Sequence, residues 1–149
     1  MKQGVDSLRL LTQQPARHTS PTVKARALGY LIFARPDLDL AERFLLDFGL
    51  QMAHREADRL YMRGTGTTPY CYRIEHAKQA RFLGFALEVA SHDDLEKLAH
   101  LPGASAIEPL EGPGGGQRVR LTDPSGFLVE RHELTLYGCC QDCAPPVRG

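Results

Sequence analysis

Hydrophobic and polar positions follow the same order twice along this chain. The first half begins with an apolar run, Ala27–Ala34, whose length is typical of a strand, and the second half begins with a similar run, Phe82–Val89. In each half, a segment with apolar residues at helical spacing comes next, and three short strand-like segments follow it. The pattern therefore predicts a βαβββ module that occurs twice, at about residues 25–76 and 80–133.

Capping residues predict where the two helices begin and end. Asp37 can accept hydrogen bonds from the free N–H groups of the first helix, which Gly49 ends. Ser91 caps the second helix, and Pro102-Gly103 stops it. The remaining strands are predicted at Gln51–Arg55, Arg59–Arg63, Tyr70–Glu75, Ala106–Leu110, Gln117–Leu121 and Phe127–His132. The glycine-rich segment Gly112–Gly116 is expected to be a loop near the open side of the sheet, where it could act as a lid.

Composition narrows the class of protein. The 149 residues suit one domain or two small modules with a common core, and 18 basic residues balance 18 acidic ones. A neutral chain does not favour binding to nucleic acid or to an anionic membrane, because both need a basic excess. No apolar stretch approaches the roughly 20 residues that span a bilayer, and the N-terminus does not resemble a signal peptide. We therefore expect a cytoplasmic protein, in which the four cysteines form no disulfide framework.

The two ends of the chain differ in composition from the repeated modules. Residues 1–24 are polar and mixed, which predicts a weakly ordered arm with a short helix at Asp6–Leu11. Residues 134–149 contain prolines and Cys139, Cys140 and Cys143. Zinc binding normally needs four ligands, so exposed thiols on a tail are the alternative to a metal site there.

One turn and the strand after it carry the most specific pattern. Asp123-Pro124-Ser125-Gly126 is a tight-turn sequence, in which proline presets φ and glycine takes the position that needs a positive φ. The apolar segment that follows ends on Glu130, so the strand presents a carboxylate. Alternation places His132 on the same face of the strand as Glu130.

Two βαβββ modules that end in this turn, strand and glutamate resemble the vicinal oxygen chelate superfamily, which includes glyoxalase I, bleomycin resistance proteins and extradiol dioxygenases. The resemblance covers about residues 25–133. Gly29-Tyr30 and the second-module strand around Phe85 add to it, and residues 113–121 are similar to the N-terminal half of two-domain extradiol dioxygenase-like proteins. The resemblance implies an α+β fold in which the sheet curls into a half-open mixed barrel with helices outside.

The same resemblance implies where a metal ligand set would lie. In these enzymes Fe(II), Mn(II) or another divalent ion is held by a His from the first strand, a His from the fifth and a Glu from the eighth. Here the first position is Tyr30, the second is Gly84 or Phe85, and only Glu130 remains as a metal ligand. We therefore predict no catalytic residue and no cofactor, with Fe or Mn as the ion if any binds.

Four residues are candidate ligand contacts besides the metal position. Tyr30 either fills the space where a metal would lie or donates its hydroxyl hydrogen bond to Glu130 or to a ligand. Tyr70 and Tyr72 are predicted on one face of the fourth strand, where they either pack in the sheet or stack on a planar ligand. His132 is the fourth candidate, because it shares a face with Glu130.

Three functions remain open from the sequence. The first is a non-metal domain of the N-terminal extradiol dioxygenase type that is not catalytic alone. The second is a metal-free protein of the bleomycin-resistance type, in which a homodimer binds a small aromatic molecule. The third is a lyase or dioxygenase whose divalent metal is held by Glu75, His76, Glu130 and His132. Single-domain members of the superfamily usually pair, so a homodimer is expected.

Overall fold

The backbone follows the predicted βαβββ order in both halves. The computed structural model describes residues 19–133. The first module consists of β1 (Ala27–Arg35), α1 (Leu38–Asp47), β2 (Gln51–Arg55), β3 (Arg59–Arg63) and β4 (Tyr72–His76). The second module consists of β5 (Arg81–Glu88), α2 (His92–Ala99), β6 (Glu108–Pro109), β7 (Gln117–Thr122) and β8 (Leu128–Glu133).

All eight strands form one mixed sheet in the order β2-β3-β4-β1-β5-β8-β7-β6. In each module the first strand pairs in parallel with the fourth, as β1 with β4 and β5 with β8. The two first strands, β1 and β5, pair antiparallel and join the modules. The predicted α+β fold, with two βαβββ modules in a curled half-open sheet and helices outside, is confirmed.

The helices and the sheet alternation create three apolar clusters. On the outer face of the first module, Leu38 and Leu45 of α1 pack against Leu60, Met62 and Ile74. On the second module, α2 packs in the same way through Leu95 and Leu98 against Val89 and Val119. The third cluster lies on the concave face, opposite the helices, and consists of Tyr30, Ile32, Tyr61, Tyr70, Ala86 and Leu110.

Capping agrees with the sequence pattern at the start of both helices. The Asp37 side chain accepts a hydrogen bond from Leu40 N at 2.8 Å, and Ser91 Oγ accepts one from Asp94 N at 3.3 Å. At the other end, α2 stops at Ala99, where His100 Nδ1 lies 2.6 Å from the carbonyl oxygen of Glu96. Each helix is therefore capped at its N-terminus by a side chain, while its apolar face packs on the sheet.

The fourth strand differs from its predicted extent. It begins at Tyr72, because the chain bends at Cys71. Alternation therefore does not extend back to Tyr70, and the prediction that Tyr70 and Tyr72 lie on one face is wrong. Tyr70 belongs to the concave cluster with Tyr30, whereas Tyr72 stacks on Phe33 of the outer face, with ring centroids 5.6 Å apart.

Strand β6 is shorter than predicted. It contains two residues, Glu108 and Pro109, and the N–H of Leu110 then donates to the carbonyl oxygen of Gly116 at 2.9 Å. The predicted helix at Asp6–Leu11 and the cysteines of residues 134–149 lie outside the described residues. Within residues 19–133, no helix is long and apolar enough to cross a membrane.

Candidate functional site

Three residues on neighbouring strands lie side by side in a row on the concave face of the sheet. Tyr30 of β1 lies opposite Ala86 of β5, and Ala86 lies opposite Glu130 of β8. All three side chains are buried, with 3% of Tyr30 and none of Ala86 or Glu130 exposed. Ala86, rather than Gly84 or Phe85, therefore lies between Tyr30 and Glu130 in this row. The sequence did not indicate this, because the register between β1 and β5 shifts between Leu28 and Tyr30.

Two glycines permit close approach around this row. A Cβ atom on Gly84 would overlap with the carbonyl oxygen of Leu128, so this position of β5 accepts no side chain. A Cβ atom on Gly29 would overlap with the imidazole ring of His132 in the same way. Gly84 therefore lets β5 and β8 pair closely, and Gly29 makes room for a buried histidine beside Tyr30.

Three side chains donate hydrogen bonds to the two carboxylate oxygens of Glu130. The Tyr30 hydroxyl donates a short hydrogen bond to Oε2. The Arg73 guanidinium binds both oxygens, with Nη1 at 3.1 Å from Oε2 and Nη2 at 3.0 Å from Oε1. Arg118 Nη1 donates to Oε1 at 3.1 Å. The carboxylate is thus bound by one hydroxyl and two guanidinium groups. We call Tyr30, Arg73, Arg118 and Glu130 the ion cluster.

The two guanidinium groups have further acidic partners nearer the surface. Arg73 Nε lies 3.1 Å from Glu75 Oε1, an ion pair that does not have hydrogen-bond geometry. Arg118 Nε donates to Glu108 Oε1 at 3.1 Å, and Arg120 Nε lies 2.6 Å from the same oxygen. Three arginines and three glutamates therefore alternate in and around the ion cluster. The buried negative charge of Glu130 is therefore neutralised by the arginines that contact it, since an unpaired buried charge is costly.

The surroundings of Glu130 lower its pKa and raise that of Tyr30, so Glu130 stays charged and Tyr30 stays protonated. Burial alone raises the pKa of Glu130, but the charge and hydrogen bonds of Arg73, the Tyr30 hydrogen bond and the charge of Arg118 outweigh it and lower that pKa. Burial, followed by the negative charge of Glu130, raises the pKa of Tyr30 far above its usual value. The phenol therefore remains a protonated donor, and Glu130 remains an anion.

Aromatic rings fill the concave space next to the ion cluster. Ring centroids are 4.7 Å apart for Tyr30 and Tyr70, 5.0 Å for Tyr61 and Tyr70, and 5.3 Å for Tyr30 and His132. The cavity between Tyr30, Tyr70, His132 and the loops above them has a volume of about 10 Å³, which is room for about one water molecule. Tyr30 and Tyr70 thus contact each other and leave no space for a planar molecule between them.

Several buried polar atoms of this cluster lack a hydrogen-bond partner among the described residues. They are the hydroxyl groups of Tyr61 and Tyr70 and Nδ1 of His132. Tyr30 lies close enough to the Tyr70 hydroxyl to affect its pKa, although the two are not in hydrogen-bond geometry. Burial is the main cause that raises the pKa of Tyr70 to about 12, and burial likewise lowers the pKa of His132. His132 is therefore a neutral ring at neutral pH.

The residues of this row do not fit a catalytic metal ion. Tyr30 donates its proton to Glu130, and Ala86 has no ligating atom, so one carboxylate would have to hold the ion. Its oxygens already bind cationic guanidinium groups at 3.0–3.1 Å, and these would repel a divalent cation. Within residues 19–133, no three His, Cys, Asp or Glu side chains converge as a metal-binding group.

The sequence reading identified Tyr30, Glu130 and His132 on this face but missed Arg73 and Arg118. One signal was available: strand alternation places Arg73 between two residues of the outer apolar cluster, Tyr72 and Ile74, and so points it inward. Which carboxylate an inward arginine binds depends on pairing across several strands. That information is not local in the sequence.

Comparison of the sequence with models of known protein families and with curated protein sequences finds no match. Solved structures do match. A Mn(II)-bound glyoxalase from Novosphingobium aromaticivorans is 25% identical over 74% of this chain and 40% of its own, with a TM-score of 0.67. A substrate complex of homoprotocatechuate 2,3-dioxygenase from Brevibacterium fuscum is 21% identical over 80% of this chain and 40% of its own, with a TM-score of 0.65.

A variant of the same dioxygenase has a TM-score of 0.67 at 20% identity and is covered over 35% of its length. The chain thus spans between 35% and 40% of the length of these three structures. Both kinds of enzyme share the curled βαβββ sheet of this chain, so the comparisons agree with its fold.

Proposed function

The chain has the fold of the vicinal oxygen chelate superfamily, and from this premise we propose that it is a non-metal domain of the glyoxalase and extradiol dioxygenase type, without catalytic activity of its own. One observation carries the proposal. Glu130, the only residue of the Tyr30–Ala86–Glu130 row that could bind a metal, is bound instead by a hydroxyl and two guanidinium groups.

Chemistry in the metal-dependent members depends on positions that a metal leaves open for substrate. The row here supplies no such position, since the carboxylate is buried and each of its oxygens has two partners. The ion pairs of Glu130 instead have a structural role, because they connect β8 to Arg73 of β4 and to Arg118 of β7. We propose that such a domain supports a separate metal-binding polypeptide or domain, since the solved relatives contain more than twice the length matched here.

Metal content tests this function directly. The whole chain would be produced with added Fe(II) or Mn(II), desalted, and analysed by mass spectrometry beside a Glu130→Gln variant. We expect well below one metal ion per chain for both proteins. One tightly bound ion per wild-type chain that disappears in Glu130→Gln would overturn the proposal, because it would make Glu130 a metal ligand.

A second candidate function is binding of a small phenolic molecule beneath the loop Gly112–Gly116. The hydroxyls of Tyr61 and Tyr70 and Nδ1 of His132 have no hydrogen-bond partner within residues 19–133, and this favours it, because buried polar atoms without partners are unusual. The loop packs tightly over them: a Cβ on Gly112 would lie 2.7 Å from the Tyr61 ring. Binding therefore requires that this loop move away.

Thermal unfolding in the presence of catechol or 4-hydroxybenzoate tests the second candidate. A ligand at about 100 times its dissociation constant adds roughly 2.7 kcal/mol to the free energy of unfolding. We expect Tyr70→Phe to remove that gain and Tyr72→Phe, on the outer face, to retain it. If neither compound stabilises the wild-type protein at millimolar concentration, the candidate is rejected for simple phenols.

A further inference from the structure

The outer face of the first module carries an apolar groove of about 740 Å³. Phe33 and Tyr72 of the sheet form one side, and α1 forms the other. We call this feature the outer groove. It lies on the face opposite Tyr30 and Glu130, because successive residues of a strand point to opposite faces. It is therefore separate from the ion cluster, and its role is independent of whether Glu130 binds a metal.

A ridge of exposed apolar side chains borders the outer groove. Leu40, Phe44 and Phe48 are 58%, 64% and 73% exposed, respectively. They recur at every fourth position, so they form one stripe along α1 and its C-terminal end. The rings of Phe44 and Phe48 stack on each other, with centroids 6.3 Å apart. Contiguous apolar surface of this kind is typical of a protein interface, because an isolated domain gains nothing by exposing it.

Two opposite charges line the same groove. The Arg35 guanidinium lies 5.0 Å from the centroid of the Phe33 ring, and its Nη1 donates to the carbonyl oxygen of Ala34 at 2.9 Å. Asp37 lies two residues further along the chain and is exposed. A groove with one positive and one negative group selects neither an anion nor a cation. A two-fold axis, however, can bring Arg35 of one copy to Asp37 of another.

The exposed area agrees with a protein partner. A phenylalanine buries about 150–250 Å² when fully covered, so Phe44 and Phe48 together could bury roughly 200–350 Å² per copy. A stable interface of standard size buries about 800 Å² per partner around such an apolar centre. The two rings would therefore supply roughly a quarter to two-fifths of that area, and the outer groove gives them a place to enter.

We propose that the outer groove and its ridge form the surface by which a second copy of this chain docks, with the ridge of each copy in the groove of the other. A two-fold interface uses the same patch on both partners, so this patch must be complementary to itself. It meets that condition because a ridge and a groove of similar apolar character lie side by side, and because its two charges are opposite.

Sedimentation velocity of the whole chain over a range of concentrations tests the proposal. We expect a concentration-dependent dimer whose dissociation constant rises at least 100-fold in Phe44→Glu and in Phe48→Glu. Both positions are mostly exposed, so these variants should fold, which a thermal melt would verify. Leu28→Glu is the matched control: Leu28 is 59% exposed at the opposite end of β1, and its substitution should leave the dimer unchanged.

Three results would overturn the proposal. A wild-type chain that stays monomeric at every concentration would exclude this interface, and so would a dimer that both glutamate variants retain. A dimer lost equally in Leu28→Glu would show that the effect is not specific to the outer groove. If the monomeric protein is instead stabilised by an alkyl or aromatic compound, and Phe48→Glu removes that effect, the groove belongs to a small ligand.

Discussion

Glu130 has the residue type that the superfamily uses for metal binding, but its partners give it a different chemical role. A carboxylate beside a metal keeps free positions around the ion, whereas this carboxylate is closed by Tyr30, Arg73 and Arg118. The sequence allows a Tyr30–Glu130 hydrogen bond as one alternative, because the resemblance to the superfamily places both residues at metal-ligand positions. Alternation could indicate that Arg73 points inward, but the sequence does not show which carboxylate Arg73 and Arg118 bind, because those contacts join residues 57 and 12 positions apart.

Tyr30→Phe tests the residue-level account of the ion cluster. The substitution keeps the ring but removes the hydroxyl that donates to a buried carboxylate, and a hydrogen bond to a charged group contributes about 1.5–3 kcal/mol. We expect a loss of that size in the free energy of unfolding, measured by urea denaturation. Tyr72→Phe, on the outer face, should change it by less than about 0.5 kcal/mol. Equal losses in both variants would show that the Tyr30 hydroxyl has no special role.

Acid should destabilise the protein through two groups. The folded pKa of His132 is lowered, so its contribution is complete above an unfolded pKa of about 6.5 and is lost as pH falls toward the folded value. The folded pKa of Glu130 is also lowered, so its contribution is complete above about pH 4.3 and is lost as pH falls through the folded pKa.

The free energy of unfolding should therefore decrease in two stages as pH falls from 7 to 3. In a His132→Gln variant, the decrease that begins near pH 6.5 should be smaller, while the lower stage should remain. Urea denaturation at a series of pH values would measure this. Stability that rises between pH 7 and pH 5 in the wild-type chain would contradict the assignment.

At the scale of elements, the order of strands and helices could be predicted, but the register between strands could not. The apolar runs, capping residues and turn glycines are local signals, and they correctly indicated two βαβββ modules. The bulge near Gly29 and the bend at Cys71 are set by contacts with other strands. They place Ala86 between Tyr30 and Glu130 and separate Tyr70 from Tyr72.

Gly84→Ala should disrupt the pairing of β5 with β8 inside the second module. The new methyl group would overlap with the backbone of Leu128, which cannot move without breaking the pairing of β5 and β8. We expect a loss of roughly 3 kcal/mol or more, since overpacking against backbone is poorly relieved. Gly64→Ala is the control, because a Cβ there meets nothing within 4 Å, and it should change stability by less than about 0.5 kcal/mol. Equal unfolding midpoints for the two variants would contradict this packing.

At the scale of the whole molecule, the fold is that of a metalloenzyme superfamily, while the centre of the sheet is a core of ion pairs and aromatic rings. Sequence reasoning reached the superfamily from a turn, a strand and a glutamate, and solved glyoxalase and dioxygenase structures have the same fold. The sequence could not show that the concave space is filled, because side chains from β1, β3, β4, β7 and β8 fill it together.

The most direct test of this account compares the unfolding free energy of the wild-type chain and Glu130→Gln, each with excess Mn(II) and with a chelator. Removing one partner of a buried ion pair typically costs about 3–5 kcal/mol. If arginines are the partners of Glu130, the variant should lose that amount equally in both conditions, and neither protein should respond to Mn(II). If a metal is the partner, Mn(II) will stabilise only the wild-type chain, and the difference between the two proteins will shrink in chelator.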